Sequence, residues 1–287
     1  MKGSPRFYFW SAFLILSLVV SGMCLRLLAV DGISLSESLI TRGVSSLVFV
    51  FIFAFTKKFS LKPRKIKTQI LRALVAGMAL TLFTLSYKWL TASAVSVLSN
   101  IDVPLLVVLG PLAGVKASWK TRALALGSIS FLIWYVTGLE AQVQLSYGLA
   151  SLAIGTLLLC FGYIFIKKSM SEENEAVTIL VPSLALIVYG LAIFGGTSTS
   201  WTPFLAVMAF ASGASMFVAY YATMRLYEQT DLASAEFPTL IAAIVIQPLE
   251  AIFLNNPLRG TYMISSVGFV VIIYFLLVLQ SRELSRV

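Results

Sequence analysis

The chain has 287 residues, of which 59% are hydrophobic and 11% are charged. Soluble domains carry about 25% charged residues, so this composition excludes an ordinary soluble protein, and the length leaves no room for a separate soluble domain of usual size. The formal net charge is +9, and much of the basic charge lies in a stretch beside apolar segments, which argues against nucleic acid as a partner.

Ten apolar segments follow one another along the chain, separated by short polar stretches. A membrane-spanning helix needs roughly 20 apolar residues, and each segment is about that long. We therefore predict an all-α integral membrane protein with ten transmembrane helices. The predicted spans cover residues 7–30, 36–56, 68–90, 92–113, 120–138, 145–166, 174–195, 202–226, 232–254 and 259–280.

Basic residues lie almost entirely on one side of this predicted bundle. With the N-terminus in the cytoplasm, 17 of the 21 Lys and Arg residues fall on the cytoplasmic side. Cytoplasmic loops of membrane proteins carry such an excess. We expect both termini in the cytoplasm, and the short loops favour a bacterial inner membrane. The four exceptions are Arg26, Arg42, Lys88 and Arg259.

An internal repeat is predicted from an offset of about 137 residues between the two halves. Spans 7–30, 68–90 and 120–138 then fall on 145–166, 202–226 and 259–280, respectively. Single residues follow the same offset approximately: Cys24 with Cys160, Gly77 with Gly213, and Lys88 with Arg225. Because each half has five spans, the halves lie in opposite senses. We predict residues 1–140 and 141–287 as two inverted five-helix repeats that form one transport domain.

Two segments, 87–94 and 224–235, each combine a basic and aromatic helix end, a short turn and small residues. Together with Leu71-Arg72-Ala73 and the ten spans, they resemble the drug/metabolite transporter superfamily, and more narrowly its EamA-type members. The glycine–acid pair usual after the fourth and ninth spans is absent, and Gly114-Val115-Lys116 and Asn255-Asn256 stand there.

This resemblance implies transport of a small molecule through a central cavity. The lining would come from the third, fourth, eighth and ninth spans, with contributions from the first and sixth. Members of the family export amino acids, take up metabolites, or carry choline, S-adenosylmethionine or nucleotide sugars, so the substrate stays open.

Asp102 is the clearest candidate site residue, because an ionisable group inside a span is costly unless it faces the bundle interior or water. Pro104 loosens the helix beside it by freeing a carbonyl near Asn100. The carboxyl serves a cationic group, carries a proton, or is satisfied by a neighbouring helix. Asn100 and Asp102 lie about 200° apart on an ideal helix, so we expect them to face different ways.

Two further charged residues are candidates. Glu236 lies early in the ninth span, before Pro238, and is either a substrate or proton site or a solvated acid near a helix N-terminus. Arg42 lies within the second span and reaches either an acid on another helix or a substrate carboxylate. Glu250 and Arg26 are weaker candidates, and interfacial snorkelling is the simpler interpretation of Arg26.

Aromatic rings suit cationic or aromatic solutes, and Trp10, Tyr163 and Tyr220 are our candidates of this type. Tyr220 and Tyr221 point about 100° apart on a helix, so at least one of them is positioned to face the cavity. Simple packing is the competing interpretation for every ring. Cys24 and Cys160 are expected to be small packing residues.

The chain has no histidine and no phosphate-binding glycine loop, so we predict no enzyme activity, no metal and no cofactor. We expect a secondary transporter or facilitator for a small zwitterionic or cationic organic solute, such as an amino acid, with protons as a candidate coupling ion. Broad multidrug or amine export is the alternative, and a membrane enzyme or a scaffold is a distant one. A monomer is sufficient, and a dimer stays open.

Overall fold

Helices make up nearly all of the described chain. The computed structural model describes residues 4–113, 118–137, 143–169, 173–195, 201–255 and 260–284, and these ranges contain no strand. The helices are α1 (Pro5–Val30), α2 (Leu35–Lys57), α3 (Ile66–Ser86), α4 (Ala92–Ser99), α5 (Asp102–Leu109) with a 3₁₀ turn at Gly110–Ala113, α6 (Trp119–Thr137), α7 (Val143–Ser169), α8 (Glu175–Ala192), α9 (Pro203–Tyr227), α10 (Leu232–Phe253) and α11 (Gly260–Leu284).

Side-chain oxygens fix the starts of many of these helices. Each accepts a hydrogen bond from a backbone N–H of the first turn, which has no partner within the helix. At α2 the cap is reciprocal, because Glu37 also accepts from the Ser34 backbone. The capping residues are Ser4, Ser34, Thr91, Asn174, Thr202 and Asp231.

The fourth predicted span is two helices, α4 and α5, separated at Asn100 and Ile101. Pro104 has no N–H to donate to the Asn100 carbonyl, and that carbonyl instead accepts from the Val103 N–H at 3.2 Å. The Asn100 side chain donates to the Ser96 carbonyl at 2.8 Å. The loosening predicted from the proline is therefore confirmed.

Eight helical stretches are long and apolar enough to cross a membrane, with α4 and α5 together counted as one of them. Large apolar side chains cover the outside of the bundle: Phe55 is 87% exposed and Ile252 is 69% exposed. Soluble monomers rarely expose extended apolar surface, so the chain is an integral membrane protein. The fifth and tenth predicted spans, α6 and α11, stay predictions.

The main helix contacts come in pairs, in which a contact made by a helix of the first predicted half has a counterpart made by the corresponding helix of the second half. α1 packs along α9 and α10, and α7 packs along α3 and against α4 and α5. Likewise α2 packs against α9 while α8 packs against α3, and α5 contacts α6 while α10 contacts α11. The remaining large contacts join helices that occupy the same position in the order of predicted spans of each half. These pairs are α2 with α8, α4 with α10 and α6 with α11.

α2 and α8 cross closely at the middle of the bundle and run antiparallel. The hydroxyls of Ser46 and Ser183 lie 2.8 Å apart, and these two serines are 137 residues apart in the chain. Gly43 faces the Ser183 carbonyl, and on the other side of the crossing Gly190 faces Ile40. Small residues at these positions allow the two backbones to approach.

We expect Gly43→Val to destabilise the bundle, because a Cβ at Gly43 would lie 2.7 Å from the Ser183 carbonyl oxygen. Overpacking of this kind costs about 1–3 kcal/mol. The control is Gly127→Val on α6, where a Cβ meets no atom within 4 Å. Thermal unfolding in mild detergent checks this, and equal melting temperatures for the two variants would contradict close α2–α8 packing.

Candidate functional site

A cavity of about 140 Å³ lies between the two halves of the bundle. Its lining comes from α1, α3, α4, α5, α7, α9 and α10, with Arg42 added from α2. These include all six spans that the family resemblance implies. At about 30 Å³ per water in the liquid, the cavity has room for roughly five water molecules or one small organic solute.

Two buried carboxyl groups line this cavity, Asp102 at the start of α5 and Glu236 in the first turns of α10. They are 4% and 1% exposed. The Tyr227 hydroxyl donates to Glu236 Oε1 at 2.5 Å. Asp102 Oδ1 has no hydrogen-bond partner among the described residues. One acid is thus held by the protein, and the other presents an oxygen that needs a donor.

Asn100 and Asp102 both line the cavity, so the expectation that they face different ways is wrong. The 200° separation holds only along a continuous helix, and here the helix is interrupted between the two residues. The Thr239 hydroxyl lies 2.8 Å from Asn100 Oδ1 and 2.6 Å from the Glu236 carbonyl. Thr239 therefore links the α4–α5 break to α10 beside both acids.

The tyrosines divide between the cavity and the packing around it. Tyr163 and Tyr220 line the cavity, and the Tyr163 ring meets the Tyr227 ring edge-on at 6.2 Å. Tyr221 lies outside the cavity, where its hydroxyl accepts from Arg225 Nη2 at 3.0 Å. One of the two adjacent tyrosines thus faces the cavity, as expected.

Trp10 does not line the cavity, contrary to its selection as a candidate. Its ring packs edge-on against Tyr221 at 5.3 Å between ring centroids and also contacts Phe9 and Phe13. The indole thus belongs to an aromatic cluster at the α1–α9 contact. The sequence could not distinguish this packing from a cavity position, because both require an aromatic residue on an interior face.

Arg42 lines the same cavity and is 7% exposed. Among the described residues its guanidinium donates to two hydroxyls: Nη2 to Ser21 Oγ at 3.2 Å and Nη1 to Thr84 Oγ1 at 3.4 Å. Its Nε has no partner in the part of the chain that the structure describes. The ion pairs found among those residues join Arg225 to Glu175 and Glu228, so the expected acid on another helix is not observed for Arg42.

Arg26 and Lys167 hold two loops at opposite ends of the bundle. Arg26 Nη1 donates to the Tyr87 carbonyl at 2.7 Å in the α3–α4 loop. Lys167 Nζ donates to the Tyr227 carbonyl at the equivalent α9–α10 loop. Arg26 is thus hydrogen-bonded to the backbone as well as lying near a helix end.

Glu250 and Arg225 have clear structural partners. The Glu250 carboxylate accepts from the backbone N–H groups of Ala92 and Ser93, each at 2.8 Å, at the start of α4. Arg225 Nη2 lies 2.7 Å from Glu175 Oε1. Lys88 is exposed, and its ammonium lies 5.8 Å from the Trp89 ring centroid. None of the three charged side chains lines the cavity.

Sequence reasoning missed several polar residues that line the cavity. A serine, a threonine or a tyrosine carries no charge, so its presence in a span is not anomalous. Only Tyr87 had a detectable signal, because it closes α3 as Tyr227 closes α9. The missed residues are Ser21, Tyr87, Ser96, Ser99, Thr223 and Thr239.

No group of acidic or cysteine side chains among the described residues has the arrangement of a metal site. Both cysteines are free and buried, and Cys160 Sγ lies 3.9 Å from the Asp102 carbonyl. The chemistry available in the cavity is therefore that of carboxyl, guanidinium, amide and hydroxyl groups.

No family model matches this chain, and no curated protein matches it. Among solved structures, one described only as the crystal structure of a protein is similar over 98% of this chain and 99% of its own. The TM-score is 0.72 and the sequence identity is 12%. This likeness shows that the fold occurs in another protein and carries no statement about activity.

The hydrogen bond from Tyr227 to Glu236 predicts energetic coupling between these side chains. In a double-mutant cycle with Tyr227→Phe and Glu236→Gln, we expect a coupling energy of about 1–3 kcal/mol. Tyr221→Phe combined with Glu236→Gln is the control, since the Tyr221 hydroxyl bonds to Arg225 instead. Unfolding in mixed micelles measures both cycles, and additive effects in the first would show that the bond contributes little.

Proposed function

We propose that this chain is a secondary transporter or facilitator that moves a small zwitterionic or cationic organic solute, such as an amino acid or a related metabolite, across a membrane. One observation carries the proposal. Asp102 lies deep in a membrane protein, its Oδ1 has no hydrogen-bond partner in the described part of the chain, and it lines a central cavity together with Glu236. Ionisable groups at such positions in membrane proteins typically mark substrate or ion pathways.

The proposed architecture is two inverted five-helix repeats, residues 1–140 and 141–287, within the drug/metabolite transporter superfamily and its EamA-type members. The matched helix contacts support this symmetry. So do the Ser46–Ser183 contact and the two loops held by Arg26 and Lys167. A cavity between inverted halves is the usual position of a transport site.

The proposed orientation places the N-terminal end of the bundle in the cytoplasm of a bacterial cell. Ser4 hydrogen-bonds to Gln229 in the α9–α10 loop, and Asn174 bonds to the Ser60 carbonyl. The basic loop between α2 and α3 therefore contacts the residue that caps the start of α8. An excess of Lys and Arg on one side marks the cytoplasmic face in the inner membrane.

In the proposed cycle, the two halves rock about the cavity so that it opens to one side at a time. The solute's cationic group approaches Asp102 and Glu236, and the aromatic rings of Tyr163 and Tyr220 line the same cavity. Asp102 is the candidate proton carrier, because Glu236 already accepts from Tyr227 while Asp102 Oδ1 has no described donor.

A broad exporter of amines is the second candidate, and the same combination of acids and aromatic rings favours it. Competition by chemically unrelated cations would support that function over a dedicated carrier. A membrane enzyme or an assembly scaffold would move no solute at all. Flux into liposomes that contain only this protein separates transport from both.

The direct test is thermal stabilisation of the purified protein by a library of metabolites at two pH values, followed by flux of each hit in proteoliposomes. A ligand that binds only the folded form raises the melting temperature as its concentration rises. A zwitterionic or cationic hit that is transported supports the proposal. Hits that bind without any flux would contradict it.

Asp102→Asn is expected to abolish accumulation driven by a proton gradient while solute exchange at equilibrium continues. The amide keeps the size of the side chain but cannot carry the transported proton. The control is Asp31→Asn, which changes an exposed acid at the end of α1. Uptake with and without an imposed pH gradient checks this, and full gradient-driven uptake by Asp102→Asn would exclude the proton role.

Alternating access predicts which side chains react with a water-soluble thiol reagent. In a background with Cys24→Ala and Cys160→Ala, Ser96→Cys lines the cavity and is expected to react from each side of the membrane in turn. Ser128→Cys is the control, because Ser128 is 2% exposed and does not line the cavity. Labelling of oriented vesicles measures both, and reaction of Ser96→Cys from one side alone would contradict alternation.

A further inference from the structure

We infer that Arg42 binds the carboxylate of the transported solute, which is a zwitterion with an apolar side chain, such as leucine or phenylalanine. This inference rests on the proposed transport function and deepens it. The ammonium group of the solute lies toward Asp102 and Glu236. The cavity therefore binds the two charged groups of one solute molecule at separate places.

The argument starts from the surroundings of Arg42. A buried guanidinium without a counter-ion is costly, and the described contacts of this one are two hydroxyls, at 3.2 and 3.4 Å. Neither hydroxyl supplies negative charge, and Nε has no described partner. A carboxylate supplies that charge and accepts from two guanidinium N–H groups at once.

Arg42 and Glu236 lie toward opposite ends of the bundle. Arg42 is seven residues after the start of α2, which is about 10 Å along that helix, at the end that also holds the α3–α4 loop. Glu236 is four residues after the start of α10, about 6 Å along the helix, at the end that holds Ser4. The charged side chains lining the cavity are Arg42, Asp102 and Glu236.

Charge complementarity excludes the simpler solutes. A monovalent cation would leave the Arg42 charge unpaired, and a monovalent anion would leave Asp102 Oδ1 without a described donor, each at the cost of a buried uncompensated group. A zwitterion satisfies one group of each sign. Amine export, the second candidate function, does not use Arg42.

The walls between the charged groups indicate the nature of the side chain. Most of their area is apolar. An apolar side chain of the solute that packs against these walls removes its own apolar surface and theirs from water. The apolar wall residues include Leu14, Leu18, Leu80, Phe83, Met216 and Ile246.

The test compares three probes of one shape: leucine, leucinamide and 4-methylpentanoate. Leucinamide keeps the ammonium and lacks the carboxylate, whereas 4-methylpentanoate keeps only the carboxylate. Affinity for the purified wild-type chain comes from thermal-shift titration. We expect leucine to bind at least about tenfold more tightly than either analogue, because each analogue leaves a buried charge unpaired. Equal affinity of leucinamide and leucine would overturn the inference.

Arg42→Gln then assigns the carboxylate contact. Glutamine retains hydrogen-bond donors and loses the charge, so we expect weaker leucine binding and unchanged leucinamide binding. A purely structural role would weaken both probes together, so an unchanged ratio between them would overturn the inference. Lys88→Gln is the control, because it removes an exposed positive charge outside the cavity.

If the Arg42→Gln variant does not fold, the Arg42→Lys variant replaces it in the same comparison of leucine with leucinamide. Lysine keeps the charge but not the bidentate fork, so an intermediate ratio of leucine to leucinamide affinity is expected, and the wild-type ratio would overturn the inference. Flux of library hits in proteoliposomes tests transport separately. Transport of amines without binding of leucine or phenylalanine would overturn the inference that the solute is a zwitterion and would leave the transport proposal standing.

Discussion

Proline at position 104 has no backbone N–H, and much of the site depends on that missing donor. The Asn100 carbonyl accepts from Val103 instead, and the helix restarts at Asp102. The interruption brings Asn100 and Asp102 to the same cavity. It also places Asp102 at a helix start, where the aligned peptide dipoles favour negative charge. An uninterrupted helix would direct one of these side chains away from the cavity.

The interior of the bundle is correspondingly unlike its surface. Lipid solvates apolar side chains well, so they cover the outside, and serine and threonine hydroxyls turn inward to accept or donate bonds within and between helices. The Ser46–Ser183 contact and the facing glycines let α2 and α8 approach closely. That close central contact holds the second helices of the two predicted halves together beside the cavity.

Sequence reasoning succeeded where the signal was local. The apolar segments fixed the helices within a few residues, and the proline indicated the break, because both depend on neighbouring residues alone. The buried acids were identifiable because charge in lipid is rare. Tertiary packing decided the rest: Trp10 lies against Tyr221 instead of the cavity, and Arg42, for which an acid on another helix and a substrate carboxylate were both open, contacts two hydroxyls among the described residues. Uncharged Thr239 gave no signal in the sequence, and Tyr87 was marked only by its position at the end of α3, which matches that of Tyr227 in α9.

The α3–α4 and α9–α10 loops are held by contacts to the backbone that do not involve the side chains near the cavity. Arg26 and Lys167 donate to main-chain carbonyls, and a carbonyl is present whichever residue occupies positions 87 and 227. The side chains of Tyr87 and Tyr227 are therefore not needed to hold the loops in place. One of them bonds to Glu236 and the other lines the cavity. The side chains at these two positions can therefore change while the backbone contacts that hold the loops stay the same.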